Sequence, residues 1–129
     1  MCIRDSNYTA MYKPYHLIGL ELGISVASVG LRREPTGAPA GWHGDVVATA
    51  KRDLQAGQLL DGEGGYTVYG RLMPARDSVE EGYLPLGLSH QVKLKHAVRQ
   101  SQAIRWSDVE YDDRSQAVQF RREMEQTFA

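Results

Sequence analysis

A duplicated stretch constrains this chain more than any other feature. Residues 46–61 read VVATAKRDLQAGQLLD, and residues 92–105 read VKLKHAVRQSQAIR. Lys51 matches Lys95, Leu54 matches Val98, Gln58 matches Gln102 and Leu60 matches Ile104, all at one offset of 44 positions. The first copy opens with β-branched Val46, Val47 and Thr49, which suit a pleated strand. It then turns through residues 53–57, where Gly57 supplies a positive φ without a Cβ clash, and leaves through Leu59 and Leu60. Two turn positions differ between the copies: Asp53 becomes Ala97 and Gly57 becomes Ser101. Two short copies predict a pseudo-symmetric β unit, because a solenoid needs about three repeats or more.

The rest of residues 45–111 agrees with a β unit. Strand-like runs fall at residues 45–51, 58–60, 66–72, 84–88 and 91–94, with a short piece at 103–105. Gly62, Gly64 and Gly65 punctuate a turn before the YTVYG run. Short strands separated by Gly-rich turns predict a compact, irregular all-β domain. Residues 73–82 (MPARDSVEEG) read as a solvated loop with a helical turn at 78–81, and Ser107 as the cap of another short turn.

Helices flank this unit, so the predicted class is α+β. Residues 15–31 read as a helix, with Pro14 in its first turn. Leu17, Leu20, Ile24 and Leu31 line one side, and Ile18, Leu22, Val26 and Val29 another; a helix apolar on most faces is normally buried. Gly19, Gly23 and Gly30 would each weaken an isolated helix by up to about 1 kcal/mol relative to Ala, and they make sense where other elements pack close. One β-rich neighbour cannot cover such a helix on all sides, so the isolated chain is expected to expose a large apolar patch there. Residues 34–44 (EPTGAPAGWHG) form a linker by their Pro and Gly density. At the other end, residues 115–128 predict an amphipathic helix with Ala117, Phe120, Met124 and Phe128 inward and Arg121 and Arg122 on the wetter side.

Several of these segments together resemble a known family. The K-R-D-L-x-A-G-x-x-L stretch at 51–60 is similar to the SAF domain, a β-clip fold found in type III antifreeze proteins, sialic acid synthases, altronate dehydratases and flagellar P-ring chaperones. MYKPYHLIGLELGISVAS, PTGAP, DVVATAKRDL, DGEGGYTVYGRLMPA, LPLGLSHQVKLK and RWSDV resemble the C-terminal part of bacterial NAD(P)-dependent oxidoreductases. Those enzymes join a homoserine-dehydrogenase-like nucleotide domain to a C-terminal SAF domain, and include enzymes like deoxyxylulose-phosphate reductoisomerase. The resemblance spans residues 11–128. It implies that residues 1–33 are the tail of an upstream catalytic domain, 34–44 a linker, 45–111 the SAF unit and 112–129 a C-terminal helix. NAD(P) is then the cofactor of the full-length protein, and none is expected on this fragment. Residues 1–6 (MCIRDS) resemble a translated sequencing-adapter remnant of metagenomic assemblies.

Charge and composition exclude other classes. A net charge of −1 gives no signal for nucleic acid or an anionic membrane. One cysteine, Cys2, rules out an intrachain disulfide and fits a cytoplasmic protein. His43, His90 and His96 share no ligand spacing, so no metal site is expected. The residues 61–65 (DGEGG) do not fit G-x-G-x-x-G and precede a strand, so they are no Rossmann fingerprint. No G-x-S-x-G elbow occurs.

The nearest approach to a site is Tyr12, Lys13, His16 and Glu21, with Tyr15. Lys13 and the first-turn amides suit a phosphate or carboxylate, and His16 suits acid–base work. The plainer alternative is a helix N-terminus under an aromatic lid, with a solvated lysine. No defined catalytic residue of the family falls on these positions. Asp53 reads as a turn aspartate bonding its own backbone, with a ligand or ion-pair role as the alternative. Three functional readings stay open: an accessory SAF fragment of an oxidoreductase, inactive alone, that covers the cleft or braces a homo-oligomer; a stand-alone SAF-type ligand-binding or chaperone-like module; and a dimerisation domain without a small-molecule site.

Overall fold

The computed structural model describes residues 12–37 and 40–128. Expectations for residues 1–11, and for Ala38 and Pro39 of the linker, lie outside the described residues. The chain divides into two compact units, Met1–Pro39 and Ala40–Ala129.

The first unit is built on α1 (Ile18–Ala27), which continues as a π-helical turn over Ser28–Arg32. It ends at Arg33, whose φ of 57° is left-handed. Helix starts later than the sequence predicts: Pro14 lies outside it, and Leu17 holds the cap position. The N-terminal helix, expected to be buried in a larger body and exposed in the isolated chain, is exposed here. None of the ten residues of α1 is buried, and Leu20 and Ile24 are 73% and 66% exposed. The least exposed positions of the helical run are the polar ones, Glu21, Ser25 and Ser28. The reason is local. Thr36 Oγ1 bonds Ser25 Oγ at 3.2 Å, and Ser28 Oγ donates to the Glu34 carbonyl at 3.1 Å, so residues 34–36 fold back over the polar side. Among the described residues a Cβ at Gly19, Gly23 or Gly30 would meet nothing within 4 Å, so no close-packed neighbour there explains them.

The second unit is α+β. Its elements run β1 (Gly44–Ala50), β2 (Leu59–Asp61), β3 (Val68–Pro74), α2 (Ala75–Glu81), β4 (His90–Leu94), β5 (Val109–Glu110) and α3 (Gln116–Phe128). β1 and β3 form an antiparallel pair from Gly44↔Pro74 to Ala50↔Val68. β2, β4 and β5 form a three-stranded antiparallel sheet in that order. Two segments differ from expectation. Residues 84–88 make only one bridge, Val47↔Pro85, and then a 3₁₀ turn at Leu86–Leu88, since Pro85 has no N–H for a ladder. Residues 75–81 are a full helix rather than a loop, closed at Gly82 with φ 67°.

The duplicated stretches are related by a local two-fold pattern. Leu54 and Val98 pair with each other: Leu54 N–H donates to Val98 O at 2.8 Å, and Val98 N–H to Leu54 O at 3.0 Å. On either side two further pairs of backbone bonds match. Gly57 N–H donates to Leu94 O at 2.7 Å, as Ser101 N–H does to Ala50 O at 2.9 Å. Leu94 N–H donates to Gln58 O at 2.9 Å, as Ala50 N–H does to Gln102 O at 2.9 Å. The bridge Leu59↔Lys93 matches Thr49↔Ala103. Gly57 and Ser101 share the left-handed conformation, at φ 81° and 67°. The core repeats the pattern with Ala50 and Leu94, Leu54 and Val98, Leu60 and Ile104, joined by Ala48, Val68, Leu84, Trp106, Val109 and Val118.

α3 turns a face inward that its apolar stripe does not predict. Val118 and Arg121 are buried, whereas Phe120 and Phe128 are 69% and 52% exposed and Ala117 is exposed. Arg121, expected on the wetter side, is held inside by a buried carboxylate described below.

Candidate functional site

Of the predicted residues, the first unit brings Lys13, His16 and Glu21 together. Lys13 Nζ pairs with Glu21 Oε1, and His16 Nδ1 lies against Glu21 Oε2. Glu21 Oε1 also accepts from the Leu17 N–H at 3.3 Å, the reach-back of a glutamate to its helix cap. Lys13 Nζ stands 5.8 Å from the centre of the Tyr15 ring. Tyr12 makes no part of this cluster and is 88% exposed. The carboxylate occupies the first turn and engages both Lys13 and His16, so the turn as it stands is filled by its own acid. All these side chains are substantially solvated, with Lys13 and His16 at 47% and 70% exposure.

In the second unit the strongest polar constellation is one that sequence reasoning missed. Asp45, at the start of β1, is 7% exposed. Arg121 of α3 donates to both its oxygens, Nη1 to Oδ1 at 3.0 Å and Nη2 to Oδ2 at 2.7 Å. Ser78 of α2 donates to Oδ2 at 2.6 Å, and the Val46 N–H to Oδ1 at 2.9 Å. The Arg121 guanidinium lies 4.5 Å from the Trp42 ring centre and gives its Nε to Glu125 at 2.7 Å. Burial pushes the Asp45 pKa up, but the Arg121 and Ser78 bonds outweigh it and hold it below the usual carboxylate range. Both oxygens of Asp45 are occupied, and the side chains of Arg121 and Asp45 are 8% and 7% exposed. The chemistry of this cluster is that of a clamp between β1, α2 and α3.

Asp61 organises the glycine-rich turn in the same way. Its carboxylate accepts from the Tyr66 N–H at 2.5 Å, the Thr67 N–H at 3.0 Å and the Thr67 hydroxyl. Desolvation raises its pKa, but these donors, Thr67 first, together outweigh it and bring it down to about 2. A Cβ on Gly65 would overlap that carboxylate, which explains the glycine. The Tyr66 and Thr67 amides are thus turned onto Asp61, and an anion at this turn would meet its charge. This turn therefore does not fit a dinucleotide pyrophosphate.

Asp53 departs from its expected role as well. Its carboxylate accepts from the Gln100 N–H at 2.8 Å, so it ties the first turn to the second instead of closing its own. Among the described residues no group of three His, Cys, Asp or Glu side chains could hold a metal ion, and His90 Nδ1 lies 3.1 Å from the Asp61 carbonyl. Nor is any described helix long and apolar enough to cross a membrane. No protein-family model matches the chain, and no curated protein matches it in sequence.

Proposed function

We propose that this chain is the C-terminal accessory region of a cytoplasmic NAD(P)-dependent oxidoreductase, with residues 45–111 an SAF-type unit that covers a catalytic cleft or braces a homo-oligomer. The observation that carries this reading is α1. Its apolar residues point outward on several sides while its polar ones are the least exposed. Each large aliphatic side chain gains about 1.5–3 kcal/mol when fully buried, so Leu20, Leu22, Ile24 and Val26 together favour a covering surface strongly. A catalytic domain supplies one. Lys13, His16 and Glu21 would then stand at its margin, and hydride transfer and NAD(P) binding would belong to that domain, since the glycine turn here is filled by Asp61. On this reading the fragment alone has no activity.

The test is the coding sequence upstream of Asn7. A continuous frame that carries a strand–G-x-G-x-x-G–helix unit is the expected result; a start codon beside Met11 refutes it. The latter result would favour a stand-alone SAF-type binding or chaperone-like module, for which the self-contained core of the second unit speaks.

A further inference from the structure

The local two-fold relation makes the second turn comparable, position by position, with the first, and the two differ in charge. Asp53 corresponds to Ala97 and Asp61 to Arg105. Two acids in the first copy are thus replaced by a methyl group and a guanidinium. These two residues line one open cleft of about 460 Å³ beside the second turn, together with Arg71 of β3, Ser101 and Ser107. That volume lies within the range of small-molecule sites, about 300–1,000 Å³.

Two further observations concern how the cleft is furnished. Arg105 is held in place, paired with Glu81 and standing 5.5 Å from the Tyr83 ring centre, yet its side chain is 49% exposed. With five N–H donors on a guanidinium, Arg105 keeps donors beyond those engaged by Glu81 and the Tyr83 hydroxyl. Arg71 makes no ion pair among the described residues. Ser101 has a left-handed φ of 67° where its counterpart is glycine, a conformation that costs a non-glycine residue about 1–3 kcal/mol. The backbone alone would be better served by glycine, so the hydroxyl is what the position retains. Asp108, also in the lining, opposes an anion, but its Oδ2 accepts from the Arg105 N–H at 2.9 Å.

We infer that this cleft binds a small-molecule oxyanion, a carboxylate or phosphate, between Arg71 and Arg105 with Ser101 as a neutral donor. Guanidinium groups match planar carboxylates and phosphate oxygens, and the loss of acids at the Asp53 and Asp61 equivalents removes charge that would repel them. The inference stands on the second unit alone and is independent of the proposed parentage.

The experiment is calorimetric titration of the full chain with inorganic phosphate and, separately, malonate, against sodium chloride of matched ionic strength, with amide NMR to locate the site. Saturable binding of either anion with shifts at residues 97–107 is expected, and the stronger of the two identifies the class. Arg71→Gln is expected to weaken it about tenfold, the worth of one charge-assisted bond. Ser101→Gly serves as a second variant that relieves backbone strain: its Tm is expected to rise while its affinity falls. No saturable binding beyond chloride, shifts confined elsewhere, or affinity unchanged in both variants would overturn the assignment.

Discussion

Replacing Arg121 with Met separates the charge of the buried clamp from its bulk. The methionine keeps an aliphatic stem against Trp42 and removes both bonds to Asp45, at 3.0 and 2.7 Å. Asp45 then retains only the Ser78 hydroxyl and the Val46 amide. Breaking a buried pair from one side costs about 3–5 kcal/mol, because the remaining charge stays out of water. The rest of the anchorage of α3 is smaller or similar. Val118 contributes about 1.5–3 kcal/mol by burial, and Arg122, 4.3 Å from the Trp106 ring centre, about 0.5–2 kcal/mol. A free helix of 13 residues is marginal in water. The expected outcome is therefore local: α3 detaches while the β core persists. Hydrogen exchange followed by mass spectrometry should show residues 116–128 exchanging faster by about two to three powers of ten. Peptides over residues 46–60 and 92–105 should be nearly unchanged. The double variant Asp45→Leu/Arg121→Met should recover most of the loss, since an apolar replacement of a buried pair is often neutral or better. Unchanged protection over 116–128, or equal loss everywhere, would refute the reasoning.

The other two expectations concern the turns and pH. Gly57→Val should destabilise the second unit by about 1–3 kcal/mol in urea unfolding, because φ is 81° there while the nearest atom to a new Cβ, Lys93 Cε, lies an ordinary 3.8 Å away; no loss would mean that the turn relaxes at little cost. The folded pKa values of Asp45 and Asp61 are both lowered, so their stabilisation is complete above the unfolded value of about 3.9 and is lost as pH falls through the folded values, about 2 for Asp61. Unfolding followed by tryptophan fluorescence should accordingly be independent of pH from 7 to about 5 and set in below about 4, and a transition already half complete at pH 5 would count against these two carboxylates as the acid-sensitive groups.

The β unit was legible because its information is local and duplicated. Lys51, Leu54, Gln58 and Leu60 return at a fixed offset, and the paired backbone bonds about Leu54 and Val98 are what that recurrence encodes. The C-terminal helix was legible too, but its inward face was misassigned for a physical reason. Hydrophobic periodicity ranks Phe120 and Phe128 as inward, yet a buried arginine is tolerated only against a buried carboxylate, and Asp45 stands 76 residues away. Nothing in the local sequence announces that partner. Residues 84–88 misled in another way: their apolar run satisfies a strand pattern, but Pro85 allows only one bridge. As for the predicted cluster, the spacing of Lys13, His16 and Glu21 did bring their side chains together, while Tyr12, one residue outside that group, stayed apart. The cleft at the second turn was invisible beforehand, since Arg71 reaches it from a different strand.

The broken symmetry has a structural logic. A two-fold pair of turns needs its interior to match, and Ala50, Leu54 and Leu60 find fully or largely buried counterparts in Leu94, Val98 and Ile104. It does not need its exteriors to match. In the first copy the acids are spent on backbone donors: Asp53 on the Gln100 amide, Asp61 on Tyr66 and Thr67. Those bonds already tie the first turn to the second and close the glycine loop, so the equivalent positions of the second copy are released from that task. Ala97 and Arg105 occupy them, Arg105 pairing instead with Glu81, and the strained Ser101 lies between. On the proposed reading the fold secures itself with the first copy's acids and turns part of the second copy toward an anion, and Gly57→Val and Ser101→Gly are then expected to move stability in opposite directions.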